Sequence, residues 1–300
     1  PWQHFPNAKA WLEAGKNVIC EKPAALRISE VEDLIPLAKR KNLLYVVNLM
    51  QRYNPLYEIV SQIIDQKILG EFIHGFFENY ASDENSPPTH WFWDEKRSGG
   101  IFIEHAVHFF DMFEGWFGEG ELLSSIEVRR KGSAIEDLAA DRAQAVVRYG
   151  SGIVNMYHGF DQPDKMDRQE IRLLFERGNI NLFEWVPTTI HIEALISQEH
   201  LTILKNLLPD ATISTVESFY GENRRMKGRE KEFFVDFKIE LNHITNNKSN
   251  VYKHLLSSMI EDQMLWLENR NRNRMITEKN AHSSLKMAVE AHRSASSIKL

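Results

Sequence analysis

Two short apolar runs, Val18-Ile19-Cys20 and Leu44-Tyr45-Val46-Val47, are separated by a single helix-length segment. That arrangement reads as a strand, a crossover helix and a second strand parallel to the first. The crossover helix is expected to be capped by Ser29, with Glu32 three residues on as in a capping box, and to run to about Lys41. A helix over residues 8–13 should precede it and stop at Gly15. Open parallel sheets bind ligands beyond the carboxyl ends of their strands. Glu21-Lys22-Pro23 lies just past the first such end, and Arg52 lies just past the second. A lysine in that position is usually only a solvated side chain. Its place in the sheet makes Lys22 a candidate for chemistry, with Arg52 as a second cation at the same edge.

After Arg52 the texture changes. Pro55 suits the first turn of a helix that continues to Asp65. Residues 72–80 read as a strand, 81–100 as a polar loop with Pro, Trp and Gly, and 101–117 as a helix. Strand-like runs follow at 125–130, 143–149, 153–158, 171–176 and 188–194, with a hairpin turn at Gly150-Ser151-Gly152. Runs of strands after a helix predict an α+β unit with a largely antiparallel sheet. Residues 205–250 carry no clear period. Two helices, 252–268 and 278–296, close the chain. The expected division is therefore residues 1–50 and 51–300.

The helix at 101–117 carries the densest polar chemistry. At 100° per residue, Phe102, Ala106, Phe109, Phe110, Phe113 and Phe117 share an apolar side. Glu104, His108 and Asp111 fall opposite, at spacings of four and three. Most such faces are solvated and merely ion-paired. The alternative is an acid–base site. Gly99-Gly100 would admit close backbone approach, and Trp91, Phe92 and Trp93 could wall a pocket. Glu104, His105 and His108 could also ligate a metal, but their spacing matches no recognised zinc signature, so no metal is expected.

Composition narrows the partners. A formal net charge of -6 disfavours nucleic acid, and Arg270, Arg272 and Arg274 read as a solvated basic turn. Cys20 is the only cysteine, which forbids an intrachain disulfide and fits a reducing compartment. No apolar run is long enough to span a bilayer, and the first residues lack a signal-peptide pattern. A cytoplasmic protein is expected. Asn247-Lys248-Ser249 matches a glycosylation acceptor, without other signs of secretion.

Four stretches together resemble the Gfo/Idh/MocA family of nicotinamide-dependent oxidoreductases. They are Ala14-Gly15-Lys16-Asn17-Val18-Ile19-Cys20-Glu21-Lys22-Pro23, Gln51-Arg52-Tyr53-Asn54-Pro55, Leu69-Gly70-Glu71-Phe72, and Ser98-Gly99-Gly100 running through Glu104, His105 and His108 to Asp111. The resemblance implies the C-terminal part of a Rossmann parallel sheet, followed by an α/β domain with a large open, mostly antiparallel sheet. It implies NAD or NADP as cofactor, with Glu21, Lys22 and Pro23 beside the nicotinamide. It implies His108 as the acid–base, Lys22 beside the reacting carbon, and Glu104 orienting the imidazole or holding substrate. Arg52 and His105 would face the substrate, and Trp91 would wall its pocket. A homodimer or homotetramer through the open sheet is implied as well.

The sequence departs from the family pattern at Glu104, where aspartate is usual, at Ala106, where glycine is usual, and at Ser98 in the glycine run. No Gly-x-Gly-x-x-Gly occurs. A βαβ unit takes about 30 residues, so roughly 60–90 residues are expected upstream of Pro1. The chain alone is then expected to bind dinucleotide weakly. The function implied is hydride transfer to or from a hydroxyl-bearing carbon of a sugar, polyol or cyclitol. The alternatives are a relative that uses NAD transiently to cleave glycosidic bonds, and a non-catalytic ligand-binding or scaffolding protein.

Overall fold

The fold is given by a computed structural model that describes residues 1–129, 140–228 and 230–299. It opens with α1 (His4–Glu13), β1 (Val18–Cys20), α2 (Ile28–Arg40) and β2 (Tyr45–Val47). β1 and β2 pair in parallel, with Val18 opposite Tyr45, as their apolar runs predict. α2 begins earlier than Ser29 suggested. Arg27 is its N-cap, and Glu30 Oε2 accepts from the backbone N–H groups of Leu26 and Arg27 at 3.2 Å each. Glu30, rather than Glu32, therefore closes the box, because it is the residue at the third helical position.

A 3₁₀ turn over Met50–Tyr53 leads to α3 (Pro55–Asp65), with Pro55 at its first position and Asn54 as its cap. Then come β3 (Phe72–Ser82) and the short α4 (Glu95–Ser98). A π-helical stretch over Phe102–Ala106 runs directly into α5 (Val107–Phe117). The rest is β4 (Gly120–Arg129), β5 (Ala140–Tyr149), β6 (Gly152–Gln162), β7 (Arg168–Phe175), β8 (Gly178–Phe183) and β9 (Thr189–Ile196). After these come α6 (Gln198–Leu207), β10 (Thr212–Ser218), β11 (Arg225–Gly228), β12 (Lys231–Phe234) and β13 (Phe237–Ile244). α7 (Lys248–Glu268), α8 (Glu278–Ser294) and β14 (Ser296–Lys299) end the chain.

Ten strands form one sheet in the order β10-β13-β9-β8-β7-β3-β6-β5-β4-β14. Its neighbours run antiparallel except at β3–β6 and β4–β14. The fold is thus α/β with a large, mostly antiparallel sheet. β3 alternates as a half-buried strand should, with Gly75, Phe77 and Asn79 buried. Phe77 stacks on Phe109 of α5 at 3.6 Å between centroids, which fixes α5 across the sheet's inner face. One core cluster joins residues of the β1–β2 pair and of the ten-stranded sheet, including Val46, Phe77, Phe110 and Leu285. α8 packs against α2, β2, α5 and β4.

Residues 205–250, unread from sequence, hold the end of α6 and the strands β10 to β13. α7 starts at Lys248 rather than 252, because Asn247 caps it by accepting from Asn250 N–H at 3.0 Å. α8 stops at Ser294, and the next residues leave it to pair with β4. The glycosylation-like Asn247 is therefore a helix cap. The basic turn is also accounted for. Arg270 and Arg274 each lie over the Trp266 ring at 3.9 Å, and Arg274 bonds Glu278 at 2.8 Å.

Candidate active site

The 101–117 segment is not the amphipathic helix that a uniform wheel suggests. Its first turns are π-helical, and Ile101 through Phe113 are all buried. Widening one turn shifts every later side chain relative to a 3.6-residue period. Glu104, His108 and Asp111 are consequently buried with the phenylalanines, and the solvated polar face is absent. Burial requires each polar group to find a partner.

Glu104 finds Lys22. The ammonium donates to Glu104 Oε1 at 2.6 Å and to the Glu104 backbone carbonyl at 2.7 Å. β1 delivers Lys22 to this point, and the peptide that follows it, to Pro23, is cis. The resemblance implies that Glu104 orients His108 or holds substrate; among the described residues no hydrogen bond to His108 accompanies this pairing, while Glu104 does line a cavity. Glu21 Oε1 accepts from Asn48 Nδ2 at 2.9 Å, tying the end of β1 to the end of β2.

Asp111 finds Arg52. Arg52 Nε donates to Asp111 Oδ2 at 2.8 Å, and Nη2 donates to Oδ1 at 2.8 Å and to the Asp111 carbonyl at 2.7 Å. Burial opposes charge on the guanidinium, but the aspartate's charge and hydrogen bonds outweigh it and raise the Arg52 pKa above its ordinary value. Arg52 thus makes a two-point pairing with a buried carboxylate through Nε and Nη2.

His105 belongs to a ladder of rings that sequence did not reveal. Trp185 Nε1 donates to His105 Nε2 at 3.2 Å, and His105 Nδ1 faces His158 Nδ1 of β6 at 3.0 Å. An indole can only donate, so His105 Nε2 is the acceptor and its Nδ1 carries the proton. His158 Nδ1 then accepts, which leaves the proton on His158 Nε2, a buried atom without a partner. Both nitrogens of His105 are engaged, so any contact with a ligand would use its ring. Burial lowers all three imidazoles. His158 falls to about 3, and His105 and His108 fall well below 6.5 with the Lys22 charge as a further cause. At neutral pH they are therefore uncharged. His108 meets Trp185 edge-on at 5.4 Å, and its Nδ1 is buried without a partner.

A cavity of about 510 Å³ opens beside this cluster. Glu104 and His105 form part of its floor, Asn79 and Phe160 belong to the sheet side, and Trp91, Phe92, Trp93 and Trp185 supply aromatic walls. The Trp91 ring also lies 6.1 Å from that of Trp2. Gly99 and Gly100 serve the backbone here. Both have positive φ, +82° and +85°, and Gly99 ends α4. A side chain at Gly99 would meet Ile103 at 2.8 Å.

The residues at the ends of β1 and β2 suit the nicotinamide end of a dinucleotide. Asn48 Oδ1, Gln51 Oε1 and His108 Nδ1 are buried polar atoms without partners among the described residues, and Asn48 also reaches Glu21. A carboxamide offers both donors and acceptors to such atoms. Asn48 and Gln51 were missed in the sequence, although they follow a strand end as Lys22 does. Among the described residues, no group of three or more His, Cys, Asp or Glu is arranged to hold a metal.

Residues 1–49 match the oxidoreductase family with an NAD-binding Rossmann fold, and residues 57–181 match the GFO/IDH/MocA C-terminal domain. The chain belongs to the Gfo/Idh/MocA family. Among relatives of this Gfo/Idh/MocA chain, an uncharacterized oxidoreductase of Synechocystis is 28% identical over 127 residues, which is 42% of this chain and 34% of that protein. The scyllo-inositol 2-dehydrogenase (NAD(+)) of Bacillus subtilis is 30% identical over 100 residues, which is 33% of this chain and 28% of that protein. The aligned stretches therefore span about a third of these relatives' lengths. In fold, the chain is similar to the WlbA dehydrogenase from Bordetella pertussis, solved with NADH and UDP-GlcNAcA. The TM-score is 0.69 at 15% identity, covering 98% of this chain and 74% of that one.

Proposed function

We propose that this protein takes part in hydride transfer between a nicotinamide cofactor, NAD or NADP, and a hydroxyl-bearing carbon of a sugar, polyol or cyclitol. The observation that carries the reading is the part-buried Lys22–Glu104 pair, in which Glu104 also lines the cavity, together with a His108 kept neutral by burial and by the Lys22 charge. The cofactor, when bound, supplies the hydride acceptor or donor. Glu21, Pro23, Asn48 and Gln51 would hold its nicotinamide end. Lys22, steadied by Glu104, would donate a hydrogen bond to the substrate oxygen. His108 would take the hydroxyl proton, for which it must start uncharged, as burial beside a cation keeps it. General acid–base help of this kind is worth about 10²–10⁴ in rate.

The inositol dehydrogenase among the relatives supports a polyol, and the cavity's aromatic walls suit a sugar ring. Ile153 and Leu174, exposed on the outer face of the ten-stranded sheet, support pairing with a second copy there. The lone, buried Cys20 supports a reducing compartment such as the cytoplasm. The division at residue 50 is kept as a functional one, cofactor side and substrate side. The test is His108→Ala in a form fused to a Rossmann half bearing a glycine-rich loop. Turnover should fall by about 10²–10⁴. Unchanged turnover would remove His108 from the mechanism.

A further inference from the structure

The cavity beside Glu104 has a charge as well as a shape. Five carboxylates line it, from Asp83, Glu84, Glu104, Asp167 and Glu184, against one lysine, Lys248. Lys22 answers Glu104 at 2.6 Å, and Lys248 answers Glu184 at 2.9 Å. No cation among the lining residues answers Glu84 or Asp167. The imidazole of His105 adds no positive charge, because burial keeps it neutral. The aromatic walls contribute ring faces, whose quadrupoles also repel anions and attract cations.

We infer that the site selects carbohydrates without negative charge: neutral polyols and sugars, and amino sugars, in preference to uronates, sugar phosphates and nucleotide sugars. The inference rests on the carbohydrate reading given above and adds the charge class of the substrate. An anionic group would have to approach Glu84 and Asp167, whose carboxylates are solvent-exposed, so their repulsion acts through water and weakens with added salt. An ammonium group entering the same space gains what the carboxylate loses. Discrimination of this kind comes from repulsion built against the wrong ligand, and it needs no extra contact to the right one.

The test uses the 300-residue chain and its own fluorescence, since Trp91, Trp93 and Trp185 line the cavity. The probes are scyllo-inositol, glucosamine, glucuronate and UDP-glucose, titrated at neutral pH and low salt. Inositol and glucosamine should bind about tenfold or more tighter than glucuronate and UDP-glucose, and added salt should narrow the gap. In the double variant E84Q/D167N, the amide that replaces the Asp167 carboxylate keeps an oxygen for the Ser82 N–H, which Asp167 now receives at 2.7 Å. There the glucuronate-to-inositol ratio of dissociation constants should fall about fivefold. The salt series on the unaltered chain gives the same answer if that variant folds poorly. Glucuronate or UDP-glucose binding as tightly as inositol would overturn the charge selection and leave the carbohydrate reading standing. Binding of none of the four would overturn both.

Discussion

Arg52 pairs with a buried carboxylate, and its replacement distinguishes a structural cation from a substrate ligand. The Arg52 side chain is 11% exposed and that of Asp111 is 1% exposed. Three hydrogen bonds of 2.7–2.8 Å join them, and Asn280 adds a longer one to Asp111 Oδ1 at 3.3 Å. Taking one partner from such a pair strands the other charge in the core, at a cost of about 3–5 kcal/mol. Arg52→Met and Asp111→Leu should each lose that much, a large share of the ~5–15 kcal/mol that holds a typical protein folded. Removing both charges with apolar side chains of similar size, as in R52M/D111L, should recover most of the loss, because the desolvation cost goes with the pair. Urea unfolding followed by circular dichroism and tryptophan fluorescence measures all four proteins. The double-mutant cycle should show strong coupling, and the double variant should keep the parent's affinity for neutral carbohydrate. A single variant that loses under ~1 kcal/mol, yet loses ligand binding, would refute the reasoning and return Arg52 to the pocket.

The buried neutral histidines make stability depend on pH. His105, His108 and His158 take up protons in the unfolded chain near pH 6.5 but resist them when folded, so stability is complete above that value and declines as pH falls below it. Each contributes up to ~1.4 kcal/mol per pH unit, and His158→Gln should flatten the slope of urea-unfolding energies between about pH 6.5 and 4.5 by that amount; an unaltered slope would count against its burial as a neutral ring. His292 acts in the opposite sense. Hydrogen bonds to Glu127 and Glu95 raise it to about 9, so its contribution is complete below pH 6.5 and is lost as pH rises through 9, which unfolding curves at about pH 8 and 10 would detect. Gly115→Ala should destabilise by about 1–3 kcal/mol, since the added carbon would lie 2.0 Å from Tyr57 Oη and 2.9 Å from Arg52 Cζ; a neutral result would show that α5 can shift. Titration of the 300-residue chain with NAD(H) and NADP(H) should give no micromolar affinity, because the sequence holds no Gly-x-Gly-x-x-Gly; a micromolar constant would show that β1 and β2 suffice.

The parallel pair at the start was legible because its signal is local: two apolar runs, a helix-length spacer and a proline. The position of Lys22 just past the end of β1 follows from the same local pattern. The partners of Glu104, His108 and Asp111 do not. A helical wheel assumes one period throughout, and the π-helical turn at Phe102–Ala106 breaks it inside the segment that matters. Arg52 follows the second strand end, as its place in the sequence suggests, but its pairing with Asp111 is not legible there, since sequence spacing says nothing about which of several carboxylates a long side chain reaches. His158 lies in a strand whose alternation only says that it faces inward; its pairing with His105 is a tertiary fact. In the stretch left unread, Phe237-Lys238-Ile239-Glu240-Leu241 does alternate, and β13 was available from that pattern. β10 was not, because nearly all of its residues are exposed and it has no apolar face to betray it.

The last helix has a consequence for engineering. α8 rests on elements of both sheets at once, and His292 near its end grips Glu95 beside the glycine pair and Glu127 on β4 at 2.8 Å each. The tail thus acts as a strut: trimming it, or loading it with a bulky tag, should loosen the aromatic-walled cavity formed by residues far upstream, while leaving every group in that cavity chemically intact.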